Sequence, residues 1–317
     1  MITLDQTFVH STPTHSLEIK WSHLGSHTAP PLIFIHGTPW SSYEWHALAL
    51  ALSSRYSIFL YDHPGFGSSP SPRRLSISTS TDTAADPSYA LEDLDPSLTL
   101  RATASAALIT SWNLPTAPHI IAHDNGGLVS LRLLLQHRLS FASLLLIDVV
   151  ALARVAPIPF FELVASNQGV FKAIPSHLIE GFVSSYVTAA AFKPLDQEVK
   201  ESLCAPWREG GSQGPGRFLE EMVQAQHRDV GEIEGEYGIV AGLVPTRIIW
   251  GKDDAWVPAS TAERLADALG MRGRDGDGEG KGGESVVVIE EAGHLVMFDQ
   301  PSRVAVEVAL WLGENRR

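Results

Sequence analysis

The chain has 317 residues, of which 44% are hydrophobic and 19% are charged, so it can bury a sizeable core and is not globally disordered. Acidic residues outnumber basic ones by 36 to 23, for a formal net charge of −13. This balance argues against a nucleic-acid partner and against docking on an anionic membrane. The single cysteine, Cys204, excludes an intramolecular disulfide. With no signal-peptide pattern and no apolar run of about 18 residues, we expect a cytoplasmic protein.

Short apolar runs alternate with helical patterns along the chain, which is typical of an α/β protein with a mostly parallel sheet. An opening hairpin is predicted over residues 7–10 and 17–21. Buried strands are predicted over 31–36, 57–61, 119–123, 143–149, 246–250 and 285–289. Helices are predicted over 98–112, 126–137, 259–269 and 302–311. The sequence therefore predicts eight strands flanked by helices.

Three segments do not fit the core pattern. Residues 68–96 are rich in Ser, Pro, Asp and Thr and predict a surface excursion, while the glycine and charge run over 270–284 predicts a flexible loop. Residues 153–242 have helical patterns without parallel-strand runs, although they lie between two core strands. We therefore predict a core domain over 1–152 and 243–317, interrupted by a helical cap over 153–242.

The segment HIIAHDNGGLVSLRLL, over residues 119–134, leads from an apolar strand into a helix. It resembles the nucleophile elbow of α/β-hydrolases, G-x-S-x-G, with Ala122 in place of the first glycine and Asp124 in place of serine. An aspartate at this position can attack an sp³ carbon and form an alkyl ester. The alternative is that Asp124 only caps the helix N-terminus, which aspartate favours.

Further motifs extend the resemblance over about residues 31–312 and imply an α/β-hydrolase fold. The H-G-T-P motif at 36–39 implies an oxyanion hole made by the backbone N–H groups of Thr38 and Asn125. The D-H-P-G-F-G-S-S turn at 62–69 matches a structural turn of the family. These motifs place the oxyanion donors beside the elbow.

The nucleophile, acid and histidine follow one another along the chain in this family. The segment W-G-K-D-D-A-W-V-P at 250–258 implies an acid at Asp254, and E-A-G-H at 291–294 implies a catalytic histidine at His294. Asp253 and Asp148 are the alternative acids, the latter because some dehalogenases have their acid after the preceding strand.

The resemblance implies two steps that need no metal and no organic cofactor. The Asp124 carboxylate forms an ester with a small-molecule substrate, and His294 then activates water, the co-substrate, to hydrolyse it. Epoxide hydrolases and haloalkane dehalogenases both resemble the chain and differ in the groups that assist the leaving atom.

Haloalkane dehalogenases commonly have Asn at the x of H-G-x-P and Trp after the nucleophile, where this chain has Thr38 and Asn125. Epoxide hydrolases use two cap tyrosines, and the predicted cap contains Tyr186 and Tyr237, of which we expect Tyr237 to be packed at the junction with the core. The residues considered for the substrate and the leaving group are His36, Trp40, Tyr186, Trp207 and His227.

The sequence predicts a hydrolase, and the favoured reaction is the opening of an epoxide in a small apolar molecule. The alternatives are a haloalkane dehalogenase-like hydrolase, a lyase, isomerase or cyclase that uses Asp124 and His294 as base and acid without an ester, and a ligand-binding pseudo-enzyme. A serine esterase is disfavoured because no serine occupies the elbow. The sequence does not give the oligomeric state.

Overall fold

The computed structural model describes residues 2–75, 97–152, 163–164, 166–224, 227–271 and 285–316, without the side chains of 222–224, 227 and 228. The strands are β1 (Gln6–Ser11), β2 (His15–Leu24), β3 (Pro31–Ile35), β4 (Ser57–Tyr61), β5 (Arg73–Arg74), β6 (His119–His123), β7 (Ser143–Ile147), β8 (Thr246–Gly251) and β9 (Val286–Ile289). The strands predicted from apolar runs all lie at these positions, with ends that differ by up to a few residues.

The helices of the core are α1 (His46–Leu52), α2 (Leu98–Ser111), α3 (Asn125–Leu135), α10 (Ser260–Ala268), α11 (Val296–Asp299) and α12 (Pro301–Glu314). Between β7 and β8 lie α4 (Gln168–Lys172), α5 (Ser176–Ala189), α6 (Gln197–Cys204), α7 (Gly214–Gln224), α8 (His227–Glu234) and α9 (Val240–Leu243). Short 3₁₀ helices occupy Ser42–Trp45, Ala205–Trp207 and Tyr237–Ile239. The sequence did not predict α1 or α11, because both are short and their apolar residues belong to no repeating pattern.

The sheet has the strand order β1-β2-β4-β3-β6-β7-β8-β9, with β5 paired to β2. From β4 to β9 every neighbouring pair is parallel, whereas β1, β2 and β5 pair in the antiparallel sense. A mostly parallel sheet flanked by helices is therefore confirmed. Within the described residues the sheet has nine strands rather than the predicted eight, because the two-residue strand β5 forms within the predicted excursion at 68–96. Residues 76–96 of that excursion and 272–284 of the predicted glycine-rich loop lie outside the described residues.

Apolar side chains cover both faces of the sheet, because successive residues of a strand point to opposite sides. On one face, Ile33, Ile120 and Leu144 pack with α2 and α3. On the other face, Leu32, Ile121 and Leu145 pack with α12. Helices α5 and α7 join this second cluster through residues such as Val183 and Phe218. Helices α5 and α7 therefore pack in the same cluster as side chains of the central strands β3, β6 and β7. The domain boundaries at 153 and 242 stay a prediction.

None of the helices in the described ranges is both long enough and apolar enough to cross a membrane. The same ranges contain no group of three or more His, Cys, Asp or Glu side chains arranged to hold a metal ion.

Candidate active site

A sharp turn between β6 and α3 presents the carboxylate of Asp124. Its backbone has φ 50° and ψ −129°, a conformation that is costly for a residue with a side chain and is found where the surroundings enforce it. The turn is possible because Gly127 lies against Val149, where an added Cβ would come within 2.4 Å of a valine methyl carbon. Asp124 is 4% exposed, and the N–H of Asn125 donates to its Oδ1 atom.

The loop that follows β3 packs directly on this turn. A Cβ atom added to Gly37 would lie 2.4 Å from the Cβ of Asp124, so a side chain at residue 37 would displace either the loop or the carboxylate. This contact brings Thr38 beside the elbow, as the H-G-T-P motif predicted. The Oγ1 atom of Thr38 accepts a hydrogen bond from Nη1 of Arg101 at 3.0 Å.

His294 lies between two carboxylates, and both of its ring nitrogens are engaged. Its Nδ1 lies 2.7 Å from Oδ2 of Asp254, and its Nε2 lies 3.1 Å from Oδ2 of Asp124. Burial acts to lower the pKa of His294, but the Asp254 and Asp124 carboxylates outweigh it and raise that pKa well above its ordinary value. The three residues, which come from three separate loops, thus form one hydrogen-bonded chain.

Asp254 is held in place by the backbone of its own loop. Its Oδ1 accepts hydrogen bonds from the N–H groups of Trp256 at 2.8 Å and Val257 at 2.9 Å, which leaves Oδ2 to face the imidazole. Close packing of this loop on the histidine loop is possible because residue 251 is glycine, where a Cβ would lie 2.2 Å from the carbonyl oxygen of Gly293.

The two alternative acids do not contact His294. Asp253 is exposed, while Asp148 is fully buried and its Oδ1 accepts the N–H of Gly251 at 2.7 Å. Burial, and then the nearby Asp254 carboxylate, raise the pKa of Asp148 well above its ordinary value. The interpretation of Asp148 as the acid is therefore corrected, because the strand end turns its carboxyl towards the β8 backbone.

The backbone around His294 is supported by polar side chains that the sequence reasoning did not single out. Nε2 of His123 donates to the carbonyl oxygen of His294 at 2.9 Å, and Nδ1 of His123 lies 3.1 Å from Glu44. Asp299 accepts the N–H of Gly293 at 2.8 Å, together with the N–H groups of Phe192 and Lys193. These bonds fix the histidine loop to the elbow and to the segment that follows α5.

Trp256 lies next to the imidazole, and two further aromatic side chains pack against Trp256. The Trp256 ring is 5.0 Å from the His294 ring, the Tyr186 ring of α5 is 4.2 Å from the Trp256 ring, and the Trp40 ring stacks on Trp256 at 6.0 Å. Burial, followed by the Asp124 and Asp254 charges, raises the pKa of Tyr186 well above its ordinary value. Its phenol therefore keeps its proton at neutral pH. The structure thus places Tyr186 and Trp40 against Trp256, the ring that contacts His294.

In two other candidates, His36 and Trp207, the polar side-chain atoms bond to backbone groups. Both ring nitrogens of His36 bond to backbone, since Nε2 accepts the N–H of His63 at 2.9 Å and Nδ1 donates to Gly37 at 2.8 Å. Burial is the main reason that the pKa of His36 falls to about 3. The indole N–H of Trp207 donates to the carbonyl of Pro39 at 3.0 Å. His36 and Trp207 are therefore corrected to structural residues, because their polar atoms bond to the backbone of the loops after β3 and β4.

His227 and Tyr237 are two further residues that the sequence analysis named. The side chain of His227 lies outside the described residues. Tyr237 is buried at the junction of the helical segment and the core, and its hydroxyl donates to the carbonyl of Ala151 at 2.9 Å. Its expected packing role agrees with this position.

Sequence reasoning missed Trp256, Arg101 and Glu221. Trp256 lies in the motif that identified Asp254, so the aromatic residue two positions after the acid was a usable signal. Arg101 on α2 forms an ion pair with Glu221 on α7, and no motif linked these two positions. Asp62 of the 62–69 turn accepts the N–H groups of Ser42 and Ser68, each at 2.7 Å, which agrees with its predicted structural role.

A family model described as "Alpha/beta hydrolase family" matches residues 32–308. An α/β-hydrolase fold protein from Burkholderia ambifaria is 27% identical, with a TM-score of 0.76 and coverage of 97% of this chain and 98% of that chain. A loop variant of a haloalkane dehalogenase from Bradyrhizobium elkanii is 17% identical, with a TM-score of 0.68 and coverage of 98% and 97%. A protein from Pseudomonas aeruginosa named as an epoxide hydrolase is 20% identical, with a TM-score of 0.62 and coverage of 98% and 96%.

Proposed function

The chain belongs to the α/β-hydrolase family, and we propose that it is a hydrolase in which Asp124 forms a covalent ester with an epoxide substrate. The observation that carries this proposal is the position of the Asp124 carboxylate at the elbow, where the family's nucleophile stands, with Oδ2 at 3.1 Å from a histidine that is paired with Asp254. No serine lies at the elbow. A carboxylate there suits attack at an alkyl carbon better than attack at an ester carbonyl.

The two oxygens of Asp124 have different partners and therefore different roles. Oδ1 accepts the N–H of Asn125, and this is the place where negative charge develops when hydroxide attacks the ester carbonyl. Oδ2 faces His294 and is the attacking atom. The oxygen that becomes the ester carbonyl oxygen is thus already hydrogen-bonded to one of its two expected donors, the N–H of Asn125. The N–H of Thr38 is the other expected donor.

Tyr186 supports an oxygen leaving group. When Oδ2 attacks an epoxide carbon, the ring C–O bond breaks and the oxygen takes the phenolic proton of Tyr186. Once the ester has removed the Asp124 charge, the pKa of His294 falls and its imidazolium returns a proton to the Tyr186 phenolate. The neutral imidazole then takes a proton from water, hydroxide adds to Cγ of Asp124, and the Cγ–Oδ2 bond breaks as the product oxygen takes that proton from His294. The proton left on the Asp124 carboxyl returns to His294, so the cycle balances as epoxide plus water giving a vicinal diol.

The chemistry of the surroundings favours a substrate with apolar or aromatic groups. Trp256 lies beside the imidazole, Trp40 and Tyr186 pack against Trp256, and Phe218 lies 5.7 Å from Tyr186. Flat rings stack on such surfaces with favourable geometry at 4.5–7 Å. An aryl epoxide such as styrene oxide is therefore a suitable probe.

A haloalkane dehalogenase reaction is the second candidate, and Trp40 is the observation that favours it. Its indole nitrogen is buried, and within the described residues it has no hydrogen-bond acceptor. A buried N–H without an acceptor costs about 1–3 kcal/mol, which a halide leaving group would recover.

The two candidates are tested with purified protein, styrene oxide and 1-bromohexane. The proposal expects diol from the epoxide with the wild-type protein and none above background with Asp124→Asn. Bromide release without diol formation would favour the second candidate, the haloalkane dehalogenase reaction. Turnover of styrene oxide by Asp124→Asn at the wild-type rate would contradict both.

A further inference from the structure

A buried arginine of the core is bonded both to the Thr38 loop and to helix α7. Arg101 donates from Nη1 to Oγ1 of Thr38 at 3.0 Å and forms an ion pair through Nη2 with Oε2 of Glu221. Its guanidinium carbon lies 4.3 Å above the ring of Phe66. Arg101 is 5% exposed and Glu221 is 1% exposed. The Thr38 side chain is thereby tied to a helix that lies between β7 and β8.

Burying the Arg101–Glu221 ion pair costs free energy, so stability alone does not explain its presence. Removing two charges from water carries a large penalty, and apolar residues of similar volume often fold at least as well. Burial lowers the pKa of Arg101 and raises that of Glu221, and their mutual attraction opposes both changes. Arg217 adds a second guanidinium to the same Glu221 carboxylate. A buried charged network at this position is therefore better explained by a geometric role than by stability alone.

We infer that Arg101, held by Glu221, is a positioning residue that fixes Thr38 where negative charge develops during hydrolysis of the Asp124 ester. The inference rests on the proposed function, because this oxyanion forms only if Asp124 has become an ester. The hydrogen bond acts through the Thr38 side chain, and the N–H of the same residue is the second donor to the oxyanion. Helix α7 thus becomes part of the support of the oxyanion hole.

The inference separates the two chemical steps. Ester formation consumes the charge of Asp124 and places no new charge on Oδ1. Ester hydrolysis places a full negative charge on that oxygen, beside Asn125 and Thr38. A displaced Thr38 N–H therefore slows hydrolysis of the ester while ester formation continues, and the ester accumulates.

The experiment measures both steps with styrene oxide, by rapid quenching and intact-protein mass spectrometry. The variants are Arg101→Lys, Glu221→Gln and Thr38→Val, and His294→Gln serves as the reference in which the ester persists. We expect ester hydrolysis to slow in the first three by as much as the about 10²-fold that loss of an oxyanion donor causes. Ester formation stays at the wild-type rate.

Arg132 provides a matched control. It is a fully buried arginine on α3, and its Nη2 pairs with Glu232 of α8 at 2.9 Å, so it also joins the core to the helices between β7 and β8. Arg132→Lys is expected to lower thermal stability to a similar degree without changing the ratio of the two rates. Arg101→Lys and Thr38→Val should also be non-additive in a double-mutant cycle, since their effects pass through one hydrogen bond.

The outcomes distinguish the inference from the proposed function. An ester that persists in His294→Gln but is hydrolysed at the wild-type rate in Arg101→Lys and Thr38→Val overturns the inference alone. If the Arg101 and Glu221 variants do not fold, Thr38→Val decides, because it removes only the hydroxyl acceptor. If no ester forms in any variant, the proposed function fails and the inference fails with it.

Discussion

The Nε2 atom of His294 lies 3.1 Å from Oδ2 of Asp124, so the proposed base contacts the proposed nucleophile before substrate binds. The Asp124 carboxylate is one of the groups that hold the pKa of His294 above its ordinary value. Ester formation removes the charge of Asp124. The pKa of His294 therefore falls at the step in which its imidazole must accept a proton from water.

The first prediction concerns this coupling. Asp124→Asn, which imitates the uncharged ester, is expected to lower the pKa of His294 relative to the wild-type protein. The measurement is an NMR titration of the histidine ring protons, with His294→Gln used to assign the signal. Asp253→Asn is the control, because Asp253 is exposed, whereas the neighbouring Asp254 is the residue that bonds to the imidazole. If the pKa of His294 were the same in Asp124→Asn as in the wild-type protein, the Asp124 carboxylate would not be one of the groups that raise it.

The second prediction concerns stability against pH. Because the folded-state pKa of His294 is raised, its ion pairs stabilise the fold fully below the unfolded value of about 6.5. That stabilisation is lost as the pH rises through the folded-state pKa. The urea midpoint of the wild-type protein should decline over this range, and that of His294→Gln should decline less. Parallel curves for the two proteins would contradict the raised pKa.

The third prediction separates the three candidate acids. Asp254→Asn removes the charge that orients His294, and turnover is expected to fall by about 10⁴-fold, as in other triads in which the acid is replaced by its amide. Asp253→Asn should leave turnover unchanged. Asp148→Asn should act mainly on stability, since Asp148 bonds to the Gly251 backbone. Steady-state kinetics with styrene oxide provides the test, and a larger loss in Asp148→Asn than in Asp254→Asn would reverse the assignment.

The fourth prediction compares two buried tyrosine hydroxyls. Tyr186→Phe removes the proton donor proposed for the epoxide oxygen, and we expect ester formation from styrene oxide to fall by about 10²–10⁴-fold. Tyr237→Phe removes the hydrogen bond to Ala151 and should cost about 1 kcal/mol of unfolding free energy with little change in rate. Equal rates for the two variants would remove Tyr186 from the mechanism.

The sequence predicted most of the sheet and the residues that meet at its carboxyl edge. Continuous apolar runs mark strands that are buried on both faces. Asp124 and Asp254 each follow such a strand, and His294 follows the apolar edge strand β9, in which Val288 is exposed. The parallel order of these strands brings the three loops to one edge of the sheet.

The side-chain directions could not be predicted in the same way. His36 is in the expected loop, but its nitrogens bond to backbone groups on either side of it. Arg101 and Glu221 are 120 positions apart in sequence, and their pairing depends on where α7 lies relative to α2. Such contacts follow from tertiary packing, which local periodicity does not encode.

The most direct test of the covalent nucleophile is a single turnover of styrene oxide in oxygen-18 water, with enzyme in excess. In the proposed mechanism, water adds to Cγ of Asp124 and the product takes its new oxygen from the enzyme. The account predicts that the heavy isotope appears in the peptide containing Asp124 and that the diol is unlabelled. A labelled diol with an unlabelled Asp124 peptide would contradict the account, because water would then have attacked the substrate directly.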